Sequence, residues 1–249
     1  MSDYKVISTV AAANIKIISN IAVADIRSVT GDAKQPAGGF EGEYDLDGID
    51  KFTSTRAVDY GTDSYSWQGP WTGIRKDGLG TGWNAAARSI AEITDDTFAY
   101  VQWKLDIANP DSGQWNLMVG LGYVGDDNAD STTPYDWCTW QWWLHAGGTQ
   151  IYNGRTDSVP YTDWALNWRS GGGPNAASNR LCRIEVNSGT VTFVYSDDGG
   201  ASWTTVWTDA VAVDIAGNSN LVASVSFNSA HGYQATPENL KIYGNLANT

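Results

Sequence analysis

The segment Gly42-Glu43-Tyr44-Asp45-Leu46-Asp47-Gly48-Ile49-Asp50 sets carboxylates at alternate positions, so that on a strand Glu43, Asp45 and Asp47 share one face. Two carboxylates facing each other across a groove can divide the nucleophile and acid roles of glycoside hydrolysis. The apolar interleaving expected around such a dyad is missing, and the chain holds only five Glu. A solvated or metal-binding segment is therefore the better reading. A second acidic run, Asp126-Asp127-Asn128-Ala129-Asp130-Ser131, opens like a calcium loop, with Asp126, Asn128 and Asp130 as hard oxygen ligands. The glycine such a loop needs is replaced by Ser131, and Trp137 stands where the distal bidentate glutamate belongs. A polar hairpin loop fits better than calcium, and no other cofactor is implied. His145 and His231 are the two histidines; neither lies near a Ser or Cys nucleophile pattern, and two cannot form a three-His metal centre.

Aromatic side chains give a stronger signal. Thirteen Trp and twelve Tyr accompany only five Phe and two Met. Trp and Tyr join a broad apolar face to a polar edge, which suits surfaces that must be both adhesive and wet, glycan-binding faces among them. Trp67 and Trp71 flank Gln68-Gly69-Pro70 in a loop-like setting, and Tyr161, Trp164 and Trp168 form another such group; these five are the candidates for stacking on a sugar. In Trp137-Cys138-Thr139-Trp140-Gln141-Trp142-Trp143, strand alternation sets Trp140 and Trp142 on one face and Trp137 and Trp143 on the other. One of those faces must be core. Core packing is the simpler reading for most of the aromatics.

Those side chains need elements to hold them, and the chain divides in two. Residues 8–18 and 19–29 repeat one pattern, S-[TN]-[VI]-A-[AV]-A-[ND]-I-[KR]-x-[IV], with no gap between copies. A segment so short and apolar cannot bury its own surface, so it must pack on sister chains or a larger particle; Val10, Ile15, Ile18, Ile21, Ile26 and Val29 are the anchoring residues. β-Branched residues and the Ser-Thr and Ser-Asn pairs favour short strand-turn units over a helix. The Gly- and Pro-rich stretch 31–39 closes this arm, giving an arm of residues 1–36 and a body of residues 37–249. Four cations against three carboxylates leave the arm at +1 and the body at −14, within a total of −13. Such acidity excludes nucleic acid as a partner. No stretch is apolar enough to span a bilayer, and the N-terminus lacks the design of a secretory signal, which predicts synthesis in a cytoplasm without membrane insertion. Cys138 and Cys182 show no paired spacing; they read as buried free thiols, with a bridge between them the alternative.

Within the body, period-two alternation predicts strands over Phe98 to Ile107, Trp115 to Val124, Cys138 to Leu144, Leu181 to Asn187, Thr190 to Ser196, Ser202 to Thr208, Leu221 to Phe227 and Asn239 to Tyr243. Gly48 to Ala57 is the expected partner of the last of these. The fold class is all-β, two packed antiparallel sheets in a jelly-roll sandwich. The run Arg183 to Trp203, a strand, a tight turn and a strand ending in a D-G-x-x-W hairpin, resembles the middle of concanavalin A-like (laminin G-like) jelly rolls. The closing Pro237 to Gly244 is similar to their last strand. That resemblance implies a glycan-binding or adhesion scaffold. Ser196-Asp197-Asp198-Gly199-Gly200-Ala201-Ser202-Trp203 also fits the Asp-box hairpin of sialidase-like propellers, in which the Asp caps turn amides and the Trp anchors the hairpin. One copy does not make a propeller.

The tandem V-A-x-A-[ND]-I-[KR] units resemble those of structural and tail-associated proteins of tailed bacteriophages. The resemblance implies a virion surface protein without enzymatic activity: a capsid decoration, head fibre or tail-associated adhesin. Its arm would dock on capsid or tail proteins, and its jelly roll would face outward as a homo-oligomer such as a trimer, open to a host-surface glycan. The rival expectations are a glycoside hydrolase or polysaccharide depolymerase, and a soluble lectin.

Overall fold

The computed structural model describes residues 17–18, 21–22, 40–56, 58–63, 71–76, 82–107, 116–125, 139–145, 148–153, 158–163, 181–210, 212–228 and 235–249. The chain divides into two compact units, Met1–Pro36 and Ala37–Thr249. In the first, strands β1 (Ile17–Ile18) and β2 (Ile21–Ala22) pair antiparallel, with Ile18 opposite Ile21. Only Ser19 and Asn20 separate the partners, at the junction of the two sequence copies. Of the anchoring residues, Val10, Ile15, Ile26 and Val29 lie outside the described residues.

The body consists of β3 (Phe40–Asp45), β4 (Phe52–Arg56), β5 (Val58–Asp63), β6 (Trp71–Lys76), β7 (Ala85–Ser89), β8 (Glu92–Ile93), β9 (Phe98–Ile107), β10 (Asn116–Tyr123), β11 (Trp140–His145), β12 (Gly148–Asn153), β13 (Ser158–Asp163), β14 (Leu181–Asn187), β15 (Thr190–Ser196), β16 (Thr204–Thr208), β17 (Leu221–Phe227) and β18 (Ala235–Ala247). A single 3-10 turn at Ile49–Lys51 is the helical exception among the described residues. One sheet runs β3-β18-β9-β14-β15-β16 and the other β13-β12-β11-β10-β17-β7-β4, every pairing antiparallel. Strand β8 ties them together, since Ile93 pairs with Leu221 of one sheet and Leu246 of the other. The β5-β6 hairpin joins the start of β18 through Gly73 and Glu238. The body is thus an antiparallel jelly-roll sandwich, with chain-distant strands as neighbours.

Alternation explains the core. Along β14 and the first half of β15, Cys182, Ile184, Val186, Val191 and Phe193 are fully buried while Arg183, Glu185 and Thr192 between them are only half-buried. Trp103, Trp140 and Trp142 are also fully buried. Trp142 meets Trp103 and Phe193 edge-on, each at 5.8 Å between ring centroids. Trp143, one residue on, leaves the core and packs against Trp83 at 6.2 Å, as the alternation of the tryptophan run requires. Cys182 is fully buried; Cys138 lies outside the described residues.

One expected pairing is wrong. The last strand takes β3, not the segment Gly48 to Ala57: Lys241 pairs with Asp45, and Tyr243 with Glu43. Phe52–Arg56 instead joins β7 in the opposite sheet. The alternating carboxylates of β3 disguised a half-buried strand, whose Tyr44 packs against the core and which is followed at once by the buried Leu46. Strand propensity alone does not choose between two candidate partners; cross-strand pairs do.

Candidate functional site

The outer face of the β3-β18-β9-β14-β15 sheet carries two cross-strand rows. Register aligns Asp45, Lys241, Gln102, Arg183 and Val194 in one row, and Glu43, Tyr243, Tyr100, Glu185 and Thr192 in the next. Opposite charges and aromatics thereby become neighbours at distances where cross-strand pairs contribute. The Tyr100 hydroxyl donates to Glu43 Oε1 at 2.6 Å, and Lys241 Nζ donates to Glu43 Oε2 at 3.1 Å. Lys241 also lies 3.6 Å from Asp45. Tyr100 and Tyr243 stack face to face with centroids 4.8 Å apart, and Phe98 meets both edge-on.

Arg183 is held from several sides. Its guanidinium lies 3.9 Å from the ring centres of both Tyr100 and Trp203. Its Nε and Nη2 both donate to Gln102 Oε1, at 3.1 and 2.6 Å, while Nη1 donates to Glu185 at 2.8 Å. Trp203 is supplied by the Asp-box hairpin. There Asp198 accepts hydrogen bonds from the Ser196 hydroxyl at 2.6 Å and from the backbone and hydroxyl of Ser202 at 2.9 and 2.6 Å. These bonds, led by that from Ser196, hold its carboxyl well below the usual range. Gly199 and Gly200 take the left-handed backbone the turn demands, at φ 72° and 97°. The motif does structural work, as its sequence suggests.

A cleft of about 610 Å³ opens beside the first row, lined by Asp45, Asp47, Tyr60, Gln102, Asn239 and Lys241, with Leu46, Leu181, Gly199 and Leu240. A β-bulge shapes one wall: between Glu238 and Lys241, two residues of β18 lie opposite one of β9, and Asn239 takes a left-handed φ of 51°. The extra residue re-aims the chain, as bulges beside sites do. The carboxylate segment thus faces a cleft, with Asp45 and Asp47 both on its wall. Its carboxylates are solvent-exposed, and among the described residues no group of three His, Cys, Asp or Glu could hold a metal. Burial pushes the Glu43 carboxyl up, but the Tyr100 and Lys241 bonds outweigh it and leave its pKa below the ordinary value. Glu43 is thus an ion at neutral pH with both oxygens engaged, and holds no proton for a general-acid role.

Trp67, Trp164, Trp168, Asp126, Asn128 and Asp130 lie outside the described residues, and for Trp71 and Tyr161 only the backbone is described, in β6 and β13. Trp71 belongs to the same hairpin as Tyr60, a cleft residue. Gln102, Asn239 and Lys241 carry no local sequence signal; only the pairing of β18 with β3 and β9 assembles them.

No protein-family model matches the chain, and no curated protein sequence matches it. Several solved structures are similar to it. The carbohydrate recognition domain of Emp47p is similar at a TM-score of 0.46 and 10% identity, covering 87% of this chain and 99% of that one. The metal-free exoplasmic/lumenal domain of VIP36 gives 0.45 at 4% identity, over 76% and 84% of the two chains. The lectin from Bauhinia forficata in complex with GalNAc gives 0.43 at 10% identity, over 82% and 95%.

Proposed function

We propose that this chain is a non-catalytic saccharide-binding protein whose jelly-roll body takes up a sugar in the outer-face cleft. The observation that carries this reading is the make-up of the cleft. Carboxylate acceptors at Asp45 and Asp47, amides at Gln102 and Asn239, an ammonium at Lys241 and the ring of Tyr60 surround about 610 Å³. That volume falls in the range of small-ligand sites. Convergent donors and acceptors beside an aromatic ring match the hydroxyls and apolar face of a pyranose. Its test is an oligosaccharide array probed with the full chain and with an Asp45→Ala/Asp47→Ala variant. Binding by the parent, lost in the variant, is expected; a parent that binds no saccharide overturns the reading. A depolymerase would also shorten the ligands it binds, whereas this reading expects them to be recovered intact.

The same reading makes the body a displayed adhesin, docked by residues 1–36 on a larger particle such as a capsid or tail. The two tandem copies, which cannot bury their own apolar positions, support it. Light scattering on the full chain and on residues 37–249 tests the arm's part in assembly. The full chain is expected to form an oligomer that the shortened chain does not; equal stoichiometry would remove the arm from that role.

A further inference from the structure

The cleft contains one polar group whose orientation is imposed from outside it. Gln102 is 8% exposed, and its Oε1 accepts both the Nε and Nη2 bonds of Arg183. An amide oxygen facing two guanidinium donors leaves the amide no choice of flip, because the opposite orientation would set N–H groups against N–H groups. The Nε2 donors therefore point away from Arg183, and Gln102 lines the cleft. Arg183 is itself fixed between the rings of Tyr100 and Trp203 and by Glu185, so the amide sits on a rigid support.

The charges around it point to one class of ligand. Lys241 is the cation of the cleft wall, and Glu43 and Asp45 lie 3.1 and 3.6 Å from it. Asp47 adds a further carboxylate, on a body of net charge −14 by sequence. A ligand carboxylate or sulfate entering here meets an excess of negative charge, while a hydroxyl can accept from Gln102 and donate to a carboxylate at once. We infer that Arg183 is a positioning residue that fixes Gln102 as the hydrogen-bond donor of this cleft, and that the cleft takes uncharged, hydroxyl-rich sugars in preference to uronate or sulfated ones. This rests on the saccharide-binding reading and adds to it a ligand class and two residues.

The experiment uses the full chain on an array carrying neutral gluco-, galacto-, manno- and xylo-oligosaccharides beside uronate and sulfated oligosaccharides. The strongest neutral binder is then titrated by calorimetry into the parent, Gln102→Glu, Gln102→Met and Arg183→Lys. Gln102→Glu keeps the size and a partner for Arg183 but turns the donor into an acceptor. It is expected to weaken neutral-sugar binding roughly tenfold, with Gln102→Met close behind, as loss of a buried donor implies. Arg183→Lys keeps the charge, loses the fork, and is expected to weaken binding several-fold with an unchanged circular dichroism spectrum. Asp45→Asn/Asp47→Asn is expected to narrow the preference for neutral over uronate ligands. An array on which nothing neutral binds overturns the saccharide reading and this inference together. A neutral binder whose affinity for Gln102→Glu and Gln102→Met is unchanged from that for the parent, or a parent that prefers uronates, overturns this inference alone.

Discussion

Trp140 and Asp209 join the two sheets through the core, and breaking their bond should be among the costliest single changes in the body. Trp140 is fully buried on β11, and its indole Nε1 donates to Asp209 Oδ2 at 2.6 Å. Asp209 follows β16 on the opposite sheet, held there by its own backbone N–H to Val191 O at 2.9 Å, and is 7% exposed. Trp140→Phe removes the donor and leaves a buried carboxylate short of it, which costs about 1.5–3 kcal/mol. The smaller ring also leaves a void of about 35 Å³, worth about 0.8 kcal/mol at ~24 cal/mol per Å³. The sum, about 2–4 kcal/mol, lowers the melting midpoint of a body this size by about 5–15 °C. Asp209→Ala should cost a similar amount from the other side. Urea unfolding followed by far-ultraviolet circular dichroism, applied to both single variants and the double, isolates the pair. A coupling energy of about 1.5 kcal/mol or more is expected. Additivity to within about 0.5 kcal/mol would show that the two side chains do not act together, and would refute this account of how the sheets are linked.

Asp198 supplies a pH test. Its carboxyl is held below its ordinary value of 3.8 by bonds from Ser196 and Ser202. A depressed carboxylate contributes stability above its unfolded pKa and loses it as pH falls. The stability gap between the parent and Asp198→Asn should therefore be full at neutral pH and shrink below about pH 4; a gap constant down to acid pH would contradict the hairpin geometry. Tyr100→Phe removes the 2.6 Å bond to Glu43, so the Glu43 carboxyl, followed by NMR titration, should titrate at higher pH than in the parent. Gly244→Ala introduces a Cβ 3.1 Å from Ala99 Cβ and 3.4 Å from Ile93 Cγ2, both on buried residues. Overpacking there is expected to cost about 1–3 kcal/mol in thermal or urea unfolding.

Much of the fold is written locally. Strands β9, β14, β15 and β17 have the predicted bounds; in β14 one face is buried and the period of two is visible without knowing the partner, whereas β17 is buried throughout and reads as a continuous apolar and small-residue run. The same logic separates Trp140 and Trp142 from Trp143, and the Asp-box hairpin is legible because its hydrogen bonds close within seven residues. The weakest strands to read were β5 to β8, β12 and β13, short segments rich in Gly, Thr and Ala whose strand character comes from their neighbours.

The site shows the opposite balance. Residue type alone marked Glu43, Asp45 and Asp47 as chemically interesting, since side-chain chemistry does not depend on folding. Pairing decided everything else. Lys241 reaches Glu43 across 198 residues of sequence, and Arg183 reaches Gln102 across 81. Which carboxylate is neutralised, which amide is fixed and where a cleft opens all follow from the register of β18 between β3 and β9, with one extra residue at Asn239. A strand's sequence states which of its faces is polar; only the strands beside it determine what that polar face meets.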